Sequence, residues 1–86
     1  MNYEVPLLNE REKTHGSYDL TAEISQTLKD LFRKQPGWAK ARVAQQESLD
    51  LIAVKIARIL SGNPNEIDHW QDISGYAQLI VARLQI

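Results

Sequence analysis

The six residues Gly62 to Ile67 restrict this chain more than any other stretch. They separate two long runs of 3.6-residue apolar period, and a link that short makes the two helices antiparallel neighbours. Upstream, over about 39–60, Leu49, Ile52, Ala53, Ile56, Ile59 and Leu60 fall on one broad face at about 100° per residue. Downstream, over about 68–84, the stripe is Trp70, Ile73, Ala77, Ile80, Val81 and Leu84. Ser61-Gly62-Asn63-Pro64 ends the first run, because glycine accepts a left-handed cap and proline cannot continue the helix. Asp68 is an acceptable cap for the second run, and Arg83 suits the negative end of its dipole.

A third helix precedes the hairpin. Leu20, Ile24, Leu28, Leu31 and Phe32 recur at helical spacing and predict a helix over 19–34, capped by Ser17 or Asp19. Lys34-Gln35-Pro36-Gly37 ends it, with Trp38 expected to plug the junction. Ahead of it a charged segment is closed by Gly16, where a positive φ or a close backbone approach is expected. Residues 1–9, with Tyr3, Val5, Leu7 and Leu8 around Pro6, read as an extended arm. The expectation is one all-α domain over 1–86, a three-helix fold built on a long antiparallel hairpin.

The middle helix carries Glu47, Asp50, Leu51, Val54 and Arg58 opposite its apolar stripe, charged and apolar groups interleaved. That pattern predicts cover on both sides, the second from another subunit or from the N-terminal segment. An 86-residue chain buries a modest share of its surface, so assembly into a helical homo-oligomer is expected.

Composition narrows the function classes. Hydrophobic residues make up 43% and charged ones 24%, which is globular rather than disordered composition. A formal net charge of -1 removes the electrostatic basis of duplex nucleic-acid binding, which depends on neutralising phosphates. With no cysteine there are neither disulfides nor thiolate metal sites. No apolar run reaches membrane-span length and the N-terminus lacks the basic start of a signal peptide, so a cytoplasmic protein without a membrane partner is expected.

Chemistry concentrates between Lys55 and Tyr76. Lys55 and Arg58 stand at i and i+3, and with Arg11, Lys13 and His15 they can converge on one anion, a mix that suits a nucleotide phosphate. The hairpin brings them toward Asp68 and Asp72, so the same cations can equally form an ion-pair network that only fixes the helices. Glu47, Asp50, Asp68 and Asp72 offer four hard oxygen ligands that could hold magnesium and, through it, a triphosphate. Gly75 inside a helical run suggests close approach of a helix or ligand, with Tyr76 and Tyr18 available to stack on a base and Trp70 assigned to the core. His69 is a lone histidine, and His15 beside Gly16 is the better site candidate. No Ser-His-Asp logic and no glycine-rich phosphate loop is visible, so no catalytic nucleophile is assigned.

Three segments carry a resemblance: Arg11-Glu12-Lys13-Thr14-His15-Gly16-Ser17-Tyr18, Lys55-Ile56-Ala57-Arg58, and Asp68-x-x-x-Asp72-Ile73-x-Gly75-Tyr76-Ala77. In these the chain resembles small, mostly phage-encoded domains of unknown function and nucleotide-modification-associated domains. The resemblance implies a phage setting, the cytoplasm of an infected bacterium and some dealing with nucleotides. More distantly it is similar to the all-α MazG-like nucleoside triphosphate pyrophosphohydrolases, whose magnesium site uses E-x-x-E and E-x-x-D helices. Glu47-x-x-Asp50 can stand for the first motif, whereas the second reads Asp68-x-x-x-Asp72, or His69-x-x-Asp72 in strict spacing.

Three functions follow as expectations. The first is a non-enzymatic binder that sequesters a cyclic or modified nucleotide of host antiphage defence, without a cofactor, through Arg11, Lys13, His15, Tyr18, Lys55, Arg58, Asp72 and Tyr76. In it Asp72 orients the arginine. The second is magnesium-dependent triphosphate hydrolysis through Glu47, Asp50, Asp68 and Asp72. The third is a helical protein-interaction module whose charges lock subunits together.

Overall fold

A computed structural model describes Lys13 and residues 16–85. Within them the chain is helical, with no strand, and runs α1 (Tyr18–Arg33), α2 (Pro36–Lys40), α3 (Val43–Ser61) and α4 (Ile67–Leu84). The arm expected over 1–9 lies outside the described residues.

Ser17 caps α1 as expected, its Oγ accepting from the Leu20 N–H at 3.1 Å. Two helices replace the single one expected over 39–60. Pro36 does not only stop α1; it occupies the first turn of α2, where its fixed φ suits a helix and its missing N–H leaves nothing unsatisfied. The chain then turns extended at Ala41 and Arg42, with ψ of 145° and 158°. α3 starts anew behind Arg42, whose N–H donates to Gln45 Oε1 at 2.6 Å. Gly62 closes α3 at φ -122°, not in the left-handed region. Glu66, not Asp68, precedes α4, and no side chain caps that helix.

Trp38 fills the α1–α2 corner. It stacks on Phe32 with ring centroids 6.3 Å apart, and the Arg33 guanidinium lies 4.5 Å over its ring. Arg33 also grips Asp50 with two parallel bonds of 2.7 and 3.1 Å, and Gln46 Nε2 donates to the Trp38 carbonyl at 2.8 Å. One cluster thus joins α1, α2 and α3.

α1 and α4 both run antiparallel to α3. Thr21 meets Ser61 and Arg33 meets Asp50 on one flank, while Tyr76 meets Ser48 and Asp72 meets Lys55 on the other. At 100° per residue those two sets of α3 positions are roughly 140° apart around its axis. α1 and α4 therefore cover two flanks of α3 and not the two sides expected, since Leu49 and Leu60 on the apolar stripe and Glu47 on the opposite side are exposed.

The packed seams are made of small side chains. The buried apolar residues among those described are Ala53, Ala57 and Ile59, joined by Thr21, Ser25, Ser48 and His69. Thr21 Oγ1 lies 2.7 Å from Ser61 Oγ, which itself donates to the Ala57 carbonyl at 2.8 Å. Leu49, Leu60 and Trp70, all expected in the core, are exposed. Helical period identifies an apolar stripe, but the neighbouring helices dock beside it, on positions small enough to let backbones approach.

Candidate functional site

The two N-terminal helix ends, of α1 and α4, lie at the same end of the fold as the C-terminal turn of α3. Gly16 fixes that arrangement. Its φ of +80° is a left-handed value, and a Cβ there would collide with the backbone and hydroxyl oxygens of Ser61. The expected glycine device is present in both its forms, and it docks the chain one residue after His15 against the last turn of α3.

On the α4 flank Lys55 Nζ bonds Asp72 Oδ2 at 2.8 Å, linking α3 to α4. The Lys55 side chain is only 14% exposed, so its ammonium is held in a set position rather than waving in solvent. Its hydrogen bond holds the Asp72 carboxyl below the usual carboxylate range, and the charges of Lys55, His69 and Arg58 act the same way. Asp72 therefore positions Lys55 by a direct bond, with the Arg58 charge acting on the same carboxyl. Arg58, half-buried one turn further along, makes no ion pair among the described residues.

Tyr76 follows Asp72 by one turn, half-buried, with its carbonyl accepting from Ser48 Oγ at 3.2 Å. Tyr18 opens α1 at the same end as Arg58 and is 81% exposed. Lys13 is exposed, and Arg11 and His15 lie outside the described residues. So Lys55, Arg58 and Asp72 are brought together, and Tyr76 adjoins them.

The four candidate metal carboxylates do not gather. Asp50 is committed to Arg33 on the α1 flank, Asp72 to Lys55 on the α4 flank, and Glu47 and Asp68 are exposed. Among the described residues no three His, Cys, Asp or Glu side chains stand close enough to share an ion. Gly75 has open space where a Cβ would be, so no helix presses on it. Trp70 is 53% exposed and pinned by its Nε1, which donates to the Pro64 carbonyl at 2.8 Å. Its place is over the α3–α4 turn, outside the core.

Two features escaped the sequence. His69 is 1% exposed and sits in the α3–α4 seam; its spacing of four from Ile73 and seven from Tyr76 marks it as facing α3. The second is an apolar hollow of about 500 Å³ between α2, α3 and α4, lined by Gly37, Ala41, Leu49, Ile52, Ala77 and Ile80 among others. No helix among the described residues is long and apolar enough to cross a membrane.

No curated protein and no solved structure matches the chain. Residues 5–84 match one family, whose description is a domain of unknown function, DUF6378, and with nearly the whole length covered the chain belongs to it.

Proposed function

We propose that this protein binds a nucleotide-type anion at the end of the fold where Lys55, Arg58 and Asp72 meet. The observation that carries the reading is the meeting of two cations at one carboxyl, Lys55 bonded to Asp72 at 2.8 Å and the Arg58 charge acting on the same group. Arg58 supplies a guanidinium with no ion-pair partner among the described residues, a planar fork that matches phosphate oxygens. The N-termini of α1 and α4 point their positive dipole ends to the same side. Lys55, held by Asp72, fixes the second charge, and Tyr18 and Tyr76 offer faces for a base.

The resemblance noted above refines the reading to a phage protein of the bacterial cytoplasm that sequesters a cyclic or modified nucleotide signal of host defence. The protein acts as a homo-oligomer. It uses no metal in this role.

A nucleotide panel tests it: each compound is incubated with protein and magnesium, thermal stability is recorded, and the protein is then denatured and the supernatant analysed. The expected result is a raised melting temperature for one ligand class and release of that ligand intact, with Arg58→Ala abolishing the shift. Conversion to monophosphate and pyrophosphate would replace the binder by a MazG-like hydrolase. No shift with any nucleotide would leave the interaction module as the function.

A further inference from the structure

Apart from the Lys55–Asp72 end, the hollow between α2, α3 and α4 has a lining of a definite kind. Leu49 and Ile52 of α3 face Ala77 and Ile80 of α4 across it, and Gly37 of α2 with Ala41 makes the third wall. The space exists because that third wall is small: nothing lies within 4 Å of where a Cβ on Gly37 would stand. At about 500 Å³ the hollow falls within the range of small-molecule pockets, which are mostly apolar with a few placed polar groups.

Three polar side chains enter the lining, Lys40, Gln45 and Ser48. Two of them are already engaged. Gln45 Oε1 accepts from the Arg42 N–H at 2.6 Å, and the buried Ser48 donates its hydroxyl to the Tyr76 carbonyl at 3.2 Å. Lys40 is exposed and makes no ion pair among the described residues. Its neighbours in the chain share its sign, since residues 29–42 hold Lys29, Arg33, Lys34, Lys40 and Arg42 against Asp30 alone. Asp50, the carboxylate that reaches this segment from α3, is taken up by Arg33. An apolar hollow with one unspent cation at its α2 edge, in a positive local field, matches a molecule with an apolar body and an anionic head.

We infer that the hollow binds a small anionic amphiphile, a medium-length acyl or alkyl chain ending in a carboxylate or a phosphate. The chain lies between Leu49, Ile52, Ala77 and Ile80, where each methylene leaves water for apolar surface. The head meets the Lys40 ammonium, which selects the sign of its charge and fixes which end of the chain stays at the mouth. Neither contact uses Lys55, Arg58 or Asp72, so this site and the nucleotide site stand or fall separately.

Isothermal titration of the full chain tests the inference, with decanoate, octanoate, decyl phosphate and decyltrimethylammonium as probes, each below its micelle concentration. Decanoate or decyl phosphate is expected to bind at one site per chain, and whichever binds tighter tells a fatty-acid-like ligand from a phosphorylated one. Octanoate should bind about 15-fold more weakly than decanoate, the loss of two buried methylenes. Lys40→Gln should weaken the anionic probes about 10-fold, as for a hydrogen bond to a charged group. Lys34→Gln, which removes an exposed cation of the same segment outside the lining, should change nothing. Ala77→Phe should abolish binding by filling the hollow with helix content by circular dichroism unchanged; should that variant lose helix, Ala41→Leu fills the same space from the third wall. No binding of either ten-carbon anion to the parent overturns the inference. Equal affinity for decyltrimethylammonium, indifference to Lys40→Gln, or full binding by the folded space-filling variant overturns it as well.

Discussion

Two glycine-to-alanine substitutions in this chain should move stability in opposite directions. At Gly16 the backbone sits at φ +80°, which costs a residue with a Cβ about 1–2 kcal/mol. The new methyl would also overlap backbone atoms of Ser61, which no rotamer change relieves, so the contact must open. Together these put the loss for Gly16→Ala at about 2–4 kcal/mol. Gly75 lies inside α4, is exposed, and has nothing within 4 Å of where a Cβ would be. Alanine there keeps the helix and removes glycine's entropic penalty, a gain of about 1 kcal/mol. In a domain of this size 1 kcal/mol moves Tm by about 4–8 °C. Gly75→Ala should therefore melt about 4–8 °C above the parent, and Gly16→Ala should melt at least about 8 °C below it. Differential scanning calorimetry at a fixed protein concentration measures both. A destabilised Gly75→Ala would mean that something presses on α4 there, and an unchanged Gly16→Ala would remove the anchor on which the site's geometry depends.

The Lys55–Asp72 bond has a defined pH signature. Because Asp72's folded pKa is depressed below the ordinary aspartate value of 3.8, its stabilisation is fully present above that value and disappears as pH falls through the lower folded one. The difference in urea midpoint between the parent and Asp72→Asn should thus be flat from pH 8 to about 5 and vanish only in the acid range below about 4. A change between pH 6 and 8 would refute it. Trp70→Phe removes the bond to the Pro64 carbonyl but keeps most of the ring, and should cost about 1 kcal/mol in chemical denaturation. A much larger loss would show that the indole packs more tightly than its exposure indicates.

Helices were legible in this sequence because they are long and periodic. α1 and α4 begin and end within a residue or so of their expected limits. The break at Ala41 and Arg42 was not legible, since both are good helix formers and only the tertiary clasp around Trp38 turns the chain there. Burial was misjudged for a related reason. Period locates Leu49, Leu60 and Trp70 on stripes, but which side of a stripe meets a neighbour depends on where small residues allow close approach, as Ala53, Ala57 and Ser25 do. At the site, Lys55 and Asp72 were found because a short turn fixes which ends of two helices meet. Asp50 stood as a metal ligand under the hydrolase alternative because its partner, Arg33, is 17 residues away on a helix that sequence did not link to it.

The seam between α1 and α3 is closed by hydroxyls and methyls, with Thr21 and Ser25 on one helix against Ala53, Ala57 and Ser61 on the other. Such a seam has little side-chain bulk to redistribute, so it tolerates change in one direction only. Trimming a side chain there removes almost nothing, whereas one added isopropyl group would wedge the helices apart and carry the Gly16 anchor and Arg58 with them. Natural variation in this family should accordingly be narrow at these small positions, the reverse of what an oil-drop core would permit.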